Sequence, residues 1–220
     1  MMDIKQQEDM FLAIGNTLQR KIEIYAIGGT AMMLRGLKNS TLDVDLVFNK
    51  KTDREEFMDA LRKLGAKESD ATLVYGLKNN TPLMFTLNNC RFDLFMNKII
   101  TSNFSDSMKE RSEHIHEFGN LIIRAATPSD ILIMKSVTAR DKDKDDIIAI
   151  INKTKPNWNV IIEEIKEQVR LGNEEAILGL GEKLEKLVNS KAINVPQGVS
   201  DKLWKLFKEQ VKKRNLSRKK

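Results

Sequence analysis

Two aspartates stand two residues apart in a segment that is otherwise apolar, residues 42–48 (LDVDLVF). Side chains alternate between the faces of a β-strand, so Asp43 and Asp45 would share one face, and Val44, Leu46 and Phe48 would take the other. Two carboxylates about 4 Å apart repel each other by about 4 kcal/mol at an effective dielectric constant of about 20. A hard divalent cation with oxygen ligands would relieve this repulsion. The pair therefore predicts a metal-dependent site, with a solvated edge strand as the alternative.

A glycine turn precedes this pair in the chain. Gly28, Gly29 and Thr30 follow the apolar residues 22–27 and open a predicted helix. Without Cβ atoms, a phosphate can approach the backbone amides of such a turn, and the N-terminus of a helix favours an anion. A lone glycine pair would indicate only a tight strand-to-helix turn. Together with the two aspartates, it indicates a nucleotide site.

The glycine turn, a short helix and an Asp-x-Asp strand, in this order, resemble the signature of the DNA polymerase beta-like nucleotidyltransferase superfamily. Residues 25–36 (YAIGGTAMMLRG) are similar to the minimal archaeal and bacterial nucleotidyltransferases grouped with AbiEii toxins. Family members carry a third carboxylate on a later strand, and Asp93 in residues 91–95 (RFDLF) matches it. The resemblance covers residues 22–147 and implies an α+β fold, a mixed sheet flanked by helices with a helical C-terminal part.

The resemblance also implies roles for individual residues. Asp43, Asp45 and Asp93 would be the catalytic residues and the ligands of two Mg²⁺ ions, with Mn²⁺ as a substitute. The glycine turn would grip the β and γ phosphates of an NTP. Further along, the basic residues of a charged helix would face the nucleotide phosphates: Lys135, Arg140 and Lys142. Asp143 and Asp146, three residues apart on one helix face, would fix the adjoining turn. A solvated charge run is the alternative for all of these residues except Lys135, which stands alone in an apolar stretch.

The predicted elements place these residues on an α/β core. The chain opens with the order α-β-α-β-α, and three strands follow, at residues 72–77, 83–87 and 91–95. A last strand is predicted at residues 121–125, and Thr127-Pro128 begins a helical part that runs almost to the end of the chain. We expect a nucleotidyltransferase core at residues 1–150 and a helical region with a basic tail at residues 151–220.

The amino-acid composition excludes several classes of protein and of site. The 220 residues are 41% hydrophobic, enough for a core, yet no apolar run reaches the roughly 20 residues of a membrane span. We therefore expect a soluble, cytoplasmic protein with no membrane partner. A single cysteine, Cys90, excludes an intramolecular disulfide and a thiolate-rich zinc site. Cys90 and the two tryptophans, Trp158 and Trp204, are interpreted as packing residues, and His114 and His116 as surface residues in a turn.

The net charge of +6 is concentrated at the C-terminus. Residues 201–220 carry nine Lys or Arg against Asp201 and Glu209. This tail would contact acceptor phosphates or be a solvated end, and its removal is expected to leave folding intact.

The sequence thus predicts a Mg²⁺-dependent, ATP-binding type of nucleotidyltransferase that moves an NMP from an NTP to a hydroxyl of an RNA or protein acceptor. A toxin-antitoxin or defence system is the expected context, with a cognate antitoxin or toxin as partner. A toxin that extends tRNA ends is a narrower version of this prediction. The alternative from another class is a catalytically idle, antitoxin-like or regulatory binding protein of the same fold.

Overall fold

The computed structural model describes residues 1–138 and 142–217, without the side chains of Lys142 and of residues 213–217. In the described chain the helices are α1 (Ile4–Thr17), α2 (Gly28–Leu34), α3 (Lys51–Lys63), α4 (Thr72–Tyr75), α5 (Asp106–Arg111), α6 (Pro128–Ser136), α7 (Lys142–Thr154), α8 (Trp158–Arg170), α9 (Glu175–Asn189) and α10 (Val199–Ser217). The strands are β1 (Met2–Asp3), β2 (Ile22–Ala26), β3 (Ser40–Thr41), β4 (Asp43–Phe48), β5 (Lys67–Ser69), β6 (Leu83–Leu87), β7 (Cys90–Met96), β8 (Lys98–Ile99), β9 (Ser102–Asn103), β10 (His114–Phe118) and β11 (Leu121–Ala125).

A mixed sheet organises the first compact unit, Met1–Thr127. Its main path runs β10-β11-β2-β4-β7-β6-β5, with β8 and β9 continuing from β7. The pairs β11–β2 and β4–β7 are parallel, and the other pairs of this path are antiparallel. A separate antiparallel pair joins β1 to β3. The predicted α+β class, a mixed sheet flanked by helices, is confirmed.

Helix α3 covers the apolar face of the two central strands. Phe57 of α3 packs against Phe48 of β4 and Phe92 of β7, with ring centroids 5.4 Å and 6.4 Å apart. All three rings are fully buried. Because side chains alternate along a strand, residues one position away from Phe48 and Phe92 point to the opposite face of the sheet. That opposite face carries the predicted aspartates.

The second compact unit begins at Pro128 and is helical throughout its described part, α6 to α10. Helix α6 lies at its centre, because every residue from Ser129 to Ser136 is buried. Helices α7, α8 and α9 all pack against α6. The domain boundary predicted at about residue 150 stays a prediction, since compactness alone does not define a functional domain. No helix in the described chain combines the length and the apolar character that crossing a membrane requires.

Three local predictions were wrong. The strand predicted at residues 72–77 is absent, and Thr72–Tyr75 form helix α4 instead, because the Asp70 carboxylate accepts a 2.8 Å hydrogen bond from the Thr72 N–H and starts a turn. His114 and His116 lie on strand β10, paired with β11, rather than in a turn. Trp204 is 53% exposed and so is not a core residue.

Candidate active site

Strands β4 and β7 bring the three predicted aspartates together. The strands are parallel neighbours in a register that sets Asp45 opposite Asp93 and Asp43 opposite Arg91. The alternation of each strand places all four side chains on the face that α3 does not cover. One carboxylate oxygen from each aspartate lies within 4.8 Å of those of the other two. Three hard oxygen donors at this spacing suit a divalent cation, so the residues fit the predicted Mg²⁺.

Arg91 already compensates part of this negative charge. Its Nε donates to Asp93 Oδ1 at 2.9 Å, and its Nη2 donates to Asp93 Oδ2 at 2.9 Å. The same Nη2 also forms an ion pair with Asp43 Oδ2. Burial alone would lower the pKa of Arg91, yet the charges of Asp93 and Asp43 outweigh it and raise that pKa. The guanidinium therefore stays charged between the two carboxylates.

Tyr75 from helix α4 contacts the same carboxylate. Its hydroxyl donates to Asp93 Oδ2 at 2.6 Å, and its ring packs edge-on against Phe95 at 6.4 Å between centroids. Burial, followed by the charges of Asp45 and Asp93, raises the pKa of Tyr75, so the phenol is a donor at neutral pH. Burial also raises the pKa of Asp93, while the hydrogen bonds from Tyr75 and Arg91 and the Arg91 charge oppose that rise.

The glycine turn is fixed directly to the Asp-x-Asp strand. Gly28 has a φ of +55°, and a Cβ on it would lie 2.7 Å from Asp45 Oδ2. A Cβ on Gly29 would lie 2.6 Å from Thr41 Oγ1. Thr30 is fully buried, and its hydroxyl accepts the Asp45 N–H at 2.9 Å. Thr30 thus fixes the backbone of Asp45, and Gly28 leaves room for its carboxylate. The predicted contact of this turn with nucleotide phosphates stays a prediction.

The predicted basic residues lie in the second unit or outside the described chain. The Lys135 ammonium is buried and forms ion pairs with Asp143 Oδ1 at 2.9 Å and Asp146 Oδ2 at 2.6 Å. Burial alone would lower the pKa of Lys135, but those two carboxylates outweigh it and raise the pKa. Arg140 lies outside the described residues, and Lys142 begins α7 without a described side chain. Their predicted nucleotide contacts stay predictions.

Two residues of the cluster were not predicted as site residues. Arg91 stands two positions before Asp93, so strand alternation could have placed it on the same face. Tyr75 carried no comparable signal, because its segment was predicted as a strand. Cys90 is not a nucleophile candidate, since burial and then the charge of Asp43 raise its pKa to about 11.

The chain is similar to two solved structures at low sequence identity. Among solved structures, the crystal structure of ANT(2")-Ia in complex with adenylyl-2"-tobramycin has 12% identity and a TM-score of 0.49, covering 82% of this chain and 98% of that one. An antigenic nucleotidyltransferase-like protein from Paracoccidioides brasiliensis has 16% identity and a TM-score of 0.43, covering 90% and 98%. No curated protein sequence matches the chain.

A family match identifies the superfamily. A sequence model for the family described as nucleotidyltransferase of unknown function (DUF6036) matches residues 8–178. The predicted nucleotidyltransferase superfamily is thereby confirmed, whereas the narrower grouping with AbiEii toxins stays a prediction. Because the match spans well over half of the 220 residues, the chain belongs to this nucleotidyltransferase family.

Proposed function

We propose that this chain transfers a nucleoside monophosphate from an NTP, with ATP as the first candidate, to a hydroxyl of an RNA or protein acceptor. The observation that carries the proposal is the convergence of Asp43, Asp45 and Asp93 within 4.8 Å on one face of β4 and β7. Membership of a nucleotidyltransferase family supports it. Mg²⁺ is the proposed metal, two ions in number, with Mn²⁺ as a substitute, because hard oxygen ligands suit both.

When bound, the divalent metal supplies charge neutralisation at the triphosphate and acidification of the acceptor hydroxyl. The acceptor oxygen forms a bond to the α-phosphorus, the bond from that phosphorus to the bridging oxygen breaks, and pyrophosphate leaves with the electron pair. The hydroxyl proton passes to a carboxylate oxygen of Asp93. Tyr75 donates to Oδ2 of that group and fixes its orientation.

The other proposed site residues hold the metal ligands or contact the phosphates of the NTP. Asp43 and Asp45 are held on one strand, and the Thr30 hydroxyl fixes the backbone of Asp45. The missing Cβ atoms of Gly28 and Gly29 leave room for Asp45 and Thr41. The backbone amides of this turn remain the proposed phosphate contacts. Lys135, Arg140 and Lys142 remain proposed phosphate ligands on the resemblance alone.

The basic C-terminal segment favours RNA over protein as the acceptor. Nine Lys or Arg stand among residues 201–220, and their charge would attract a polyanion. A toxin-antitoxin or defence role, with a cognate partner protein, is the proposed biological context. A cytoplasmic location belongs to the same proposal.

One observation favours the second candidate, a catalytically idle binding protein of the same fold. Arg91 bonds to Asp43 and to both oxygens of Asp93, so part of the carboxylate charge is balanced without any metal. In an idle protein this arrangement would be permanent. In an enzyme the cation must displace Arg91 or share oxygens with it.

A transfer assay separates the two candidates. The chain is incubated with each labelled NTP, Mg²⁺ or Mn²⁺, and cellular RNA or protein, beside Asp45→Asn and a matched control, Asp9→Asn. Asp9 is exposed on α1 and tests the same chemical change away from the site. We expect label transfer by the wild type and Asp9→Asn, and a loss of at least about a hundredfold in Asp45→Asn. Equal label transfer by Asp45→Asn and the wild type would exclude the catalytic proposal.

A further inference from the structure

Arg91 occupies the space between two of the proposed metal ligands. Its guanidinium reaches across from β7 to β4, because the parallel register sets Arg91 directly opposite Asp43. Its side chain is 26% exposed, whereas Asp93 is fully buried. The contacts are bidentate toward Asp93, the geometry in which arginine binds carboxylates most strongly. These contacts form a partly buried, bidentate ion pair rather than an isolated ion pair on the surface.

The hydrogen-bonding capacity of Asp93 is largely used. Oδ1 accepts from Arg91 Nε, and Oδ2 accepts from both Arg91 Nη2 and the Tyr75 hydroxyl. An ionised carboxylate offers about four lone-pair positions, so these donors take about three of them. A divalent cation that binds Asp93 and Asp43 together needs the same oxygens. Its charge would also lie within a few ångströms of the guanidinium charge, and like charges at this distance repel strongly when partly buried.

We propose that Arg91 is a resident counter-ion that sets the metal affinity of this site: it holds the cation position between Asp43 and Asp93, and a divalent cation binds by displacing it. This inference rests on the proposed function, because it takes the three aspartates to be metal ligands. Arg91 acts through these aspartates and touches neither the NTP nor the acceptor. The positive charge of Arg91 would therefore weaken metal binding, an effect that is separate from catalysis.

The contacts predict two opposite effects of removing the arginine charge. Without metal, Asp43 and Asp93 lose their cation, so the metal-free protein becomes less stable. With metal, the competitor is gone, so the cation binds more tightly and raises the thermal midpoint by more than in the wild type. A purely structural arginine would produce only the first effect.

The test measures Mn²⁺ affinity by calorimetric titration and the thermal midpoint with and without Mn²⁺, on the full chain. The variants are Arg91→Gln, which removes the charge, and Arg91→Lys, which keeps a charge but loses the bidentate contact. Arg62→Gln is the matched control, because Arg62 is a half-exposed arginine of the same unit paired with Asp59.

We expect Arg91→Gln to bind Mn²⁺ at least about tenfold more tightly than the wild type, with a lower metal-free midpoint and a larger rise on adding Mn²⁺. Arg91→Lys should lie between Arg91→Gln and the wild type. Arg62→Gln should stay within about threefold of the wild type. If Arg91→Gln does not fold without metal, the inference is tested by whether Arg91→Lys binds Mn²⁺ more tightly than the wild type.

Unchanged or weaker Mn²⁺ binding by both Arg91 variants, beside a wild type that binds Mn²⁺, overturns this inference and leaves the proposed function intact. No binding by any of the proteins overturns the metal site itself, and the inference with it. Tighter binding by the Arg91 variants without label transfer by the wild type supports the counter-ion and argues against catalysis. The three results are therefore distinguishable.

Discussion

At Gly28, the conformation of the backbone and the chemistry of the site depend on each other. Its φ of +55° is unfavourable for any residue with a Cβ, and that Cβ would also lie 2.7 Å from Asp45 Oδ2. Gly28→Ala should therefore cost about 1–2 kcal/mol of backbone strain and displace a metal ligand. We expect Mn²⁺ affinity to fall by about 10- to 100-fold, by calorimetric titration, as for changes that misorient a ligand.

Gly36→Ala is the matched control for this prediction. Gly36 has a similar φ of +68°, but a Cβ there would meet nothing within 4 Å. Both variants should lose a similar amount of thermal stability, and only Gly28→Ala should lose metal affinity. An equal loss of affinity in both would show that the effect comes from backbone strain and not from the contact with Asp45.

The half-buried His116 on β10 makes stability depend on pH in mild acid. Burial, followed by the charges of His114 and Arg35, lowers its pKa below the ordinary value of 6.5. The unfolded chain therefore takes up this proton at a higher pH than the folded chain. The free energy of unfolding then falls as the pH drops below about 6.5, toward the folded pKa. Thermal midpoints measured across this window should decline in the wild type and decline less in His116→Gln. A full pH slope in His116→Gln would assign the effect to other groups.

The site residues differ in how far the sequence alone could predict them. Asp43 and Asp45 followed from alternation along one strand, which needs only local sequence. Asp93 followed from the family resemblance. The contact of Arg91 with Asp43 depends on the pairing of β4 with β7, residues far apart in the chain, which no local pattern encodes.

Helix α4 is the element where local pattern and structure disagree most. The segment has β-branched and aromatic residues, which favour a strand. Yet Leu73 and Leu77 are 85% and 97% exposed, so no sheet face buries them, and the turn at Asp70 starts a helix instead. Tyr75 could reach Asp93 only once this helix was known. Strand β10 was missed because its two histidines and Glu117 interrupt the apolar pattern of a strand.

Helix α6 depends on polar contacts at its C-terminal end. Lys135 is held by Asp143 and Asp146 of α7, and the Lys183 ammonium of α9 donates to the Lys135 carbonyl at 2.8 Å. Removing one partner of a buried ion pair leaves uncompensated charge. Lys135→Met should therefore lower the free energy of unfolding by about 3–5 kcal/mol in chemical denaturation.

The matched control for Lys135→Met is Lys166→Met on α8, where the partner Glu163 is largely exposed. That change should cost no more than about 1 kcal/mol. NTP affinity of Lys135→Met, measured where the protein is folded, also tests the predicted phosphate contact. An undiminished affinity would give Lys135 a structural role alone, and similar stability losses in both variants would contradict the burial argument.

For the whole molecule, the expectation that residues 201–220 can be removed without harm does not fit the fold. Helix α10 buries Leu203, which is 3% exposed, so truncation at residue 201 would remove part of the apolar core of the second unit. Deletion of this helix would remove buried apolar side chains together with exposed lysines, so it cannot test the charge alone. The acceptor question is better tested by neutralising exposed lysines than by deletion.

Three exposed lysines of α10 follow one another at helical spacing: Lys205, Lys208 and Lys212. At intervals of three and four residues they lie along one side of the helix, where they can follow a phosphate backbone. If RNA is the acceptor, replacing all three with Gln should weaken RNA binding at low salt. The slope of log affinity against log salt should become shallower by about two, since each single-strand phosphate contact contributes about 0.7.

A control triple removes the same charge from exposed lysines of the first unit: Lys5, Lys63 and Lys67. NTP binding should be unchanged in both triples, and only the α10 triple should lose RNA affinity by fluorescence anisotropy. Equal losses in both would indicate attraction by net charge alone, and no loss in either would favour a protein acceptor, because α10 would then make no phosphate contact.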